Sequence, residues 1–593
     1  MRKQQYSVYE KYNLLQNSIV LSAPLIILNL LVAIAGGIVV LLFIVNSFEK
    51  SLPLSYEDVK LYARAMFTLS THININRNEI LATDILRQLE SKMSDMYLYL
   101  SFYFMIGFVA SGTVAWYIIK KISDEHSEEK LKDKHIRGTT ILTQKEYSSI
   151  SKEIDGYAIA KDTVLSREHD TKHFMIMGAT GSGKTNLIIR MIHAQAKHPK
   201  NIEVGAKFII HDLKPDYVQK IYNPEADLIY NVSDERSIYF NFFDYLHDTN
   251  DNLDEKALVN ICHTIIPDSN SKDPIWDVLA RNVLESILIY CMLTENTSLA
   301  FVKDMIQKTP ADLIDLFNSV EGCNKGVQAL TGGENTVGSV MVTLAANATY
   351  FEGLNEKCHS HKNNFNIREW LSDGKVSKLF LINDVANKDF NAPKIAVFVN
   401  TLIKEIYAMG ENPNRRIYLF LDEFGTMGKI PAIPEAIVVA RSFGLSIILS
   451  TQEFARIDEI YGQNLRKSIL NSLTNKIIMR QTDPEMAKYF SDMIGEKEIE
   501  QSSSGASIGT TANRNGVNFN KNVKKEFTVM PSEIMELKDF EFFIKQPDVK
   551  WGKIQSAYIQ EIDGKSLSNP PLILCKNMGI ILPPKREMRE IFG

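Results

Sequence analysis

With 593 residues, 45% hydrophobic and 23% charged, the chain is long enough for three or more folded units with sizeable cores. Its net charge of -5 excludes a broadly basic coat for nucleic acid and leaves room for a narrow basic groove or pore. The five cysteines (Cys262, Cys291, Cys323, Cys358 and Cys575) form no CxxC pair and no disulfide-framework spacing, which fits a reducing compartment, and the cluster Cys358, His359, His361 matches no zinc-ligand pattern.

After a short N-terminus, residues 1–18, the stretch Ile19–Val45 carries no charge over about 27 residues, enough to cross a bilayer core of about 30 Å. Met96–Ile119 is a second uncharged run of about 24, opening on Tyr97, Tyr99, Phe102, Tyr103 and Phe104 and closing on Lys120 and Lys121. Both read as transmembrane helices. The first is too long for a cleavable signal peptide and is followed by the second. Residues 46–95 then form a periplasmic loop and 120–165 a juxtamembrane linker. Both termini are expected in the cytoplasm, because a site that consumes ATP needs cytoplasmic ATP.

Next, His173–Met177 reads as a buried strand, GATGSGKT (178–185) as a glycine-rich loop, and Asn186–Ala196 as a helix. Strand, loop and helix in that order are the context a phosphate-binding P-loop requires. Gly178, Gly181 and Gly183, with Ala179, Thr180 and Ser182, let backbone N–H groups close around phosphate oxygens. Lys184 reaches the β- and γ-phosphates, and Thr185 offers its hydroxyl to Mg²⁺. The partner carboxylates lie at the end of the apolar run Ile417–Leu421: Asp422 for the metal, Glu423 to polarise the attacking water. Leu445–Ser450 reads as a neighbouring strand ending at Gln452, placed to sense the γ-phosphate. Arg441, between the two strands, is a candidate arginine finger across a subunit boundary. ATP and Mg²⁺ are the expected cofactors.

Taken together, GATGSGKT, LFLDEFGTMGKIP, ARSFG and STQEFARIDEIYG resemble the conjugative coupling proteins of type IV secretion, the TraD/TrwB/VirD4 family, most like its TraD branch. Asp273–Trp276 with Arg281, Met409–Asn412 with Arg415 and Arg416, Ile494–Glu498 and Val529–Ile534 extend the likeness over roughly residues 1–550.

The resemblance implies an α/β fold: a RecA-like P-loop NTPase domain (166–250 and 366–560) with an inserted all-α domain (251–365), preceded by two transmembrane helices and followed by a short tail, 561–593. It implies an inner-membrane homo-hexamer that pumps single-stranded DNA by ATP hydrolysis. The implied partners are relaxase and relaxosome proteins and the secretion channel. Ordinary helix packing is the plain alternative for Trp276 and Arg281, and it is the favoured one for Trp276. Lys214 and the Gln501–Lys525 segment, whose composition suggests a flexible loop, are candidates for substrate contact. A motor exporting mainly protein effectors, a septal DNA translocase, and a docking receptor with little hydrolysis are the rival readings. The intact Lys184, Asp422 and Glu423 speak against the last.

Overall fold

In the computed structural model the described residues are 27, 30–39, most of 57–65, and 76–575 apart from 132–133, 249, 251, 270–273, 353–364, 508–515 and 560–568. The expected N-terminal segment, most of the first span, the Cys358–His361 cluster and most of the tail lie outside them. The chain forms two compact units.

The first unit holds residues 1–135 and 499–524. Its main element is a helix, Asn76–Leu131. Within it, Arg87–Ile118 is the one stretch among the described residues long and apolar enough to cross a membrane. The helix starts well inside the expected periplasmic loop and runs on into the expected linker. Asn76–Asp95 is rich in helix formers and has neither proline nor glycine, so nothing breaks the helix at the apolar boundary. From the first apolar run, Leu30–Val39 is helical. It packs against the long helix: Ser111 Oγ donates to the Ala33 carbonyl at 3.2 Å. A Cβ on Gly36 would stand 2.3 Å from that oxygen. Small residues at the contact are how apolar helices approach one another closely.

The second unit, residues 136–498 and 525–593, is built on a nine-stranded sheet. Its strands are β1 (Phe174–Met177), β2 (Lys207–Asp212), β3 (Leu228–Tyr230), β4 (Ser377–Ile382), β5 (Ile417–Leu421), β6 (Leu445–Thr451), β7 (Asn475–Met479), β8 (Glu541–Gln546) and β9 (Val549–Gln555). Across the sheet they run β9-β8-β7-β1-β6-β5-β2-β4-β3. The seven from β7 to β3 are parallel, and β8 and β9 add an antiparallel edge. β1, β2, β5 and β6 are buried at every position, as parallel strands covered on both faces must be. Alternate residues feed separate cores: Met175, Met177, Leu419 and Leu421 face one, Phe174, Ile176, Tyr418 and Phe420 the other.

Between β3 and β4 the chain leaves the sheet for a run of helices, among them Glu255–Ile265, Ile275–Leu293 and Glu334–Asn347. This insertion has no core of its own. Leu258, Ile261 and Leu284 belong to the same apolar cluster as Phe398 and Leu402 of the helix Lys388–Ala408 and as Met175 of β1. Insertion and sheet are therefore one packed body, in which strain is transmitted. Arg281 serves this packing: it is buried and donates to the Ile266 carbonyl at 2.9 Å and to Asp268 at 2.8 Å.

The segment read as a linker is also structured. Thr143 and Glu146 form a capping box on the helix Gln144–Ser151. Gly156–Ala160 and Thr163–Ser166 then form a hairpin. Tyr157 of this hairpin reaches a buried polar cluster at the end of the sheet remote from the loop 178–185. There Asp170 accepts from the hydroxyls of Tyr157 at 2.7 Å and Tyr418 at 2.6 Å and is ion-paired to Arg416 at 3.2 Å. Removing one partner of a buried pair leaves the other uncompensated. Asp170→Ala is expected to cost about 3–5 kcal/mol in denaturant unfolding of the second unit, and Tyr157→Phe only about 1 kcal/mol. Equal small losses would remove this cluster from the account of stability.

Candidate nucleotide site

The parallel sheet ends in a cleft at the tips of β1, β6 and β5: β1 and β6 stop level, and β5 stops two residues earlier, so that Asp422 comes beside Ser450 near the tip of β6. Met177 pairs with Thr451, and Leu449 with Leu421. The residues that follow each strand therefore meet: the loop 178–185 after β1, Gln452 after β6, and Asp422 and Glu423 after β5. The helix Lys184–Ala196 opens on Gly183, at φ 102°, and no side chain caps it. Its first N–H groups face the cleft, the arrangement that binds phosphate.

Lys184 is buried, and its Nζ donates to the Gly178 carbonyl at 2.9 Å and lies 3.8 Å from Glu423. Burial pulls its pKa down, while Asp422 and Glu423 oppose that shift. Glu423 is held in the left-handed region, φ 52°, ψ 56°, a conformation that costs energy for a side-chain-bearing residue. Gln452 links the two sides: its Nε2 donates to Glu423 at 2.8 Å, and its Oε1 accepts from Thr180 at 2.5 Å.

Asp422 is clamped by two hydroxyls, from Ser450 on one oxygen at 2.9 Å and Tyr217 on the other at 2.8 Å. Its carbonyl meets Nδ1 of the buried His211 at 2.5 Å. Burial raises the phenol pKa of Tyr217, and Thr185 lies close enough to oppose that rise, so one phenol stands beside both residues expected to hold Mg²⁺. Neither Tyr217 nor Asp212 was marked by any motif. Asp212 ends β2 and accepts from the N–H groups of Tyr217 and Val218 at 3.0 Å each, which fixes the helix Asp216–Ile221 beside Asp422. Phe540 and Tyr558 close the other side of the cleft. Lys214, read from sequence as a substrate contact, lines this cleft instead, close enough to lower the pKa of Lys184 further.

Arg441 is not brought to the cleft. It is exposed and precedes β6, whose seven residues at about 3.3 Å each put it roughly 20 Å from Gln452. The Gln501–Lys525 segment is not a plain loop either. It lies in two strands, Glu496–Ser507 and Gly516–Phe527. Val517, Phe519 and Val523 alternate there with polar residues in the period of a strand, a pattern its polar composition hides.

Residues 157–551 match the family described as the type IV secretion-system coupling protein DNA-binding domain. The chain belongs to that family. Among curated relatives, the coupling protein TraD of Escherichia coli K12 is 24% identical over 391 residues, 65% of this chain and 52% of TraD. The coupling protein VirD4 of Bartonella henselae is 24% identical over 186 residues, 28% of this chain and 29% of VirD4. The chain thus spans about half the length of TraD and less of VirD4. The bacterial conjugative coupling protein TrwB, in an unbound form, superposes with a TM-score of 0.61 at 20% identity, covering 75% of this chain and 97% of that one. The same fold is seen in TrwB with ADP and Mg²⁺ (TM-score 0.61) and with a non-hydrolysable ATP analogue (TM-score 0.62), each at 20% identity over 75% of this chain and 98% of that one. The fold of this coupling protein is the RecA-like P-loop NTPase fold expected from its sequence.

One group in the cleft titrates far from its usual range. Complete burial pushes the Asp212 carboxyl up to about 7, against the stabilising N–H groups of Val218 and Tyr217. In the unfolded chain it titrates near 4. Between about pH 4 and 7 the folded state keeps a proton that the unfolded chain has released, so this group's contribution to stability falls as pH rises through that window. Asp212→Asn removes the slope. Relative to wild type the variant is expected to gain stability at pH 8, with the difference closing toward pH 4, in urea unfolding at each pH. A gap independent of pH would show that Asp212 is ionised throughout.

Proposed function

We propose that this chain is the inner-membrane coupling ATPase of a type IV secretion or conjugation system. It links a relaxase–DNA complex to the secretion channel and pumps single-stranded DNA by ATP hydrolysis. The observation that carries the reading is the closed constellation of Lys184, Gln452, Glu423 and Asp422 at three adjacent strand tips, in a chain of the coupling-protein family.

The residues divide the work as follows. The N–H groups of Gly178 to Thr185 and the Lys184 ammonium hold the phosphates. The Thr185 hydroxyl and the Asp422 carboxylate would hold Mg²⁺, which would supply positive charge to the phosphates. The donor set suits that ion: a hydroxyl and a carboxylate, both hard oxygens, both beside Tyr217. The carboxylate of Glu423 takes the proton of the attacking water. Gln452, bonded to both Thr180 and Glu423, feels the γ-phosphate on one side and the base on the other, so its hydrogen bonds exchange with each turnover.

Arg441 acts on a neighbouring copy. In its own chain it lies at the opposite end of β6. It stands beside Val438 and Val439, which are 70% and 45% exposed. An apolar patch next to a lone cation suits a subunit boundary, and the ring that results is a hexamer. The long helix over Arg87–Ile118, packed on Leu30–Val39, is the inner-membrane anchor, with the motor and both termini on the cytoplasmic side.

The test is ATP hydrolysis by the full-length protein in detergent at low salt, with and without single-stranded DNA, with Lys184→Ala as control. Stimulation of about tenfold or more, lost in the control, is the expected result. Hydrolysis indifferent to DNA would favour export of proteins, and no hydrolysis in either condition would favour a docking receptor.

A further inference from the structure

The phosphate grip leaves open what holds the rest of a nucleotide. We propose that Phe540 and Tyr558 form a stacking wall for the nucleotide base, so that the site takes nucleoside triphosphates with little discrimination between bases. This rests on the nucleotide reading above.

Four observations support the wall. Phe540 is at φ 63°, a conformation a bulky residue adopts only where its surroundings impose it. Those surroundings are the phosphate loop: the Phe540 N–H donates to the Ser182 carbonyl at 2.9 Å, and its own carbonyl accepts from the N–H of Ser556 at 2.9 Å. The ring lies over the last glycine of the loop, where a Cβ at Gly183 would stand 2.5 Å from Phe540 Cδ1. The Tyr558 ring follows at 5.9 Å between centroids, tilted by 55°. A core pair would be buried, yet Tyr558 is 56% exposed and lines the cleft.

The segment that presents Tyr558 is fixed to the phosphate-binding helix. Asn186 donates to the Ala557 carbonyl at 3.0 Å and accepts from the Ile559 N–H at 2.8 Å, and Arg190 donates to the same carbonyl at 3.0 Å. Both ends of the Asn186 amide are therefore spent on main chain. Among the described residues this wall offers a base aromatic faces, and the Asn186 amide beside it is already engaged. Every base has a π face, so stacking tolerates any of them, whereas a site that discriminates strongly needs hydrogen bonds to the base.

Binding to full-length protein in detergent, followed calorimetrically with Mg·ATP, Mg·GTP and inorganic tripolyphosphate, separates wall from grip. Tyr558→Ala is expected to raise the Kd for ATP about tenfold and to leave tripolyphosphate unchanged. Tyr558→Trp is expected to restore ATP affinity and to add an indole emission that ATP quenches and tripolyphosphate does not. Wild-type Kd values for ATP and GTP are expected to agree within a few-fold. Equal weakening of ATP and tripolyphosphate in Tyr558→Ala would make the residue a structural support. No weakening of either, or strong preference for one base in wild type, would also overturn the proposal. Wild-type protein that binds tripolyphosphate but gains nothing from the base refutes the wall alone. Protein that binds neither ligand refutes the nucleotide reading itself.

Discussion

The constraint on which the site depends is the register of three parallel strands. β6 lies between β1 and β5 and pairs with both, Thr451 with Met177 and Leu449 with Leu421, so β1 and β6 end together and β5 ends two residues earlier, which brings its carboxylates to the tip of β6. Each then contributes the next residues of its own chain segment: a phosphate loop, a glutamine and a pair of carboxylates. Segments 245 residues apart in sequence, Met177 and Asp422 (422 − 177), meet because the buried strands admit one face pattern only. A slip of one residue would turn Leu419 and Leu421 from one core to the other and would carry Asp422 away from the loop.

Around this register the polar groups are arranged to hold negative charge where a divalent cation belongs. Asp422 is fixed by Ser450 and Tyr217, and Tyr217 by the Asp212 cap beneath its helix. Glu423 adopts a strained conformation and is steadied by Gln452. Phe424 and the loop after it follow Glu423 directly in the chain. That loop packs against the same apolar cluster as the inserted helices, through Phe424, Met427 and Ile430. Motor and insertion are coupled by shared packing, with no hinge between separate cores.

Much of this was legible in the sequence, for a physical reason. The phosphate loop is a local device: its glycines, lysine and threonine act within one turn of chain, so GATGSGKT carries its chemistry in eight adjacent residues. The carboxylates were legible as the end of a buried strand. What the sequence hid is non-local. Tyr217 has no motif because its role is set by where the helix after β2 lands. Phe540 matters because a backbone bond brings it to Ser182, more than 350 residues earlier. Lys214 read as a substrate contact until its place in the cleft was seen. The stretch 120–165 read as a linker because its charged residues mask short elements that are buried on one side only, through Tyr147 and Tyr157.

The account makes each site incomplete in one chain, since Arg441 stands a strand's length from its own cleft. Mixing two inactive variants of the full-length protein, Arg441→Ala and Lys184→Ala, tests this most directly. In mixed rings an intact Lys184 from one chain meets an intact Arg441 from the other, so hydrolysis is predicted to reappear at a substantial fraction of wild type, where each variant alone is silent. Mixtures as inactive as their components, under conditions where the chains demonstrably co-assemble, would contradict a shared site and return Arg441 to the role of a surface residue.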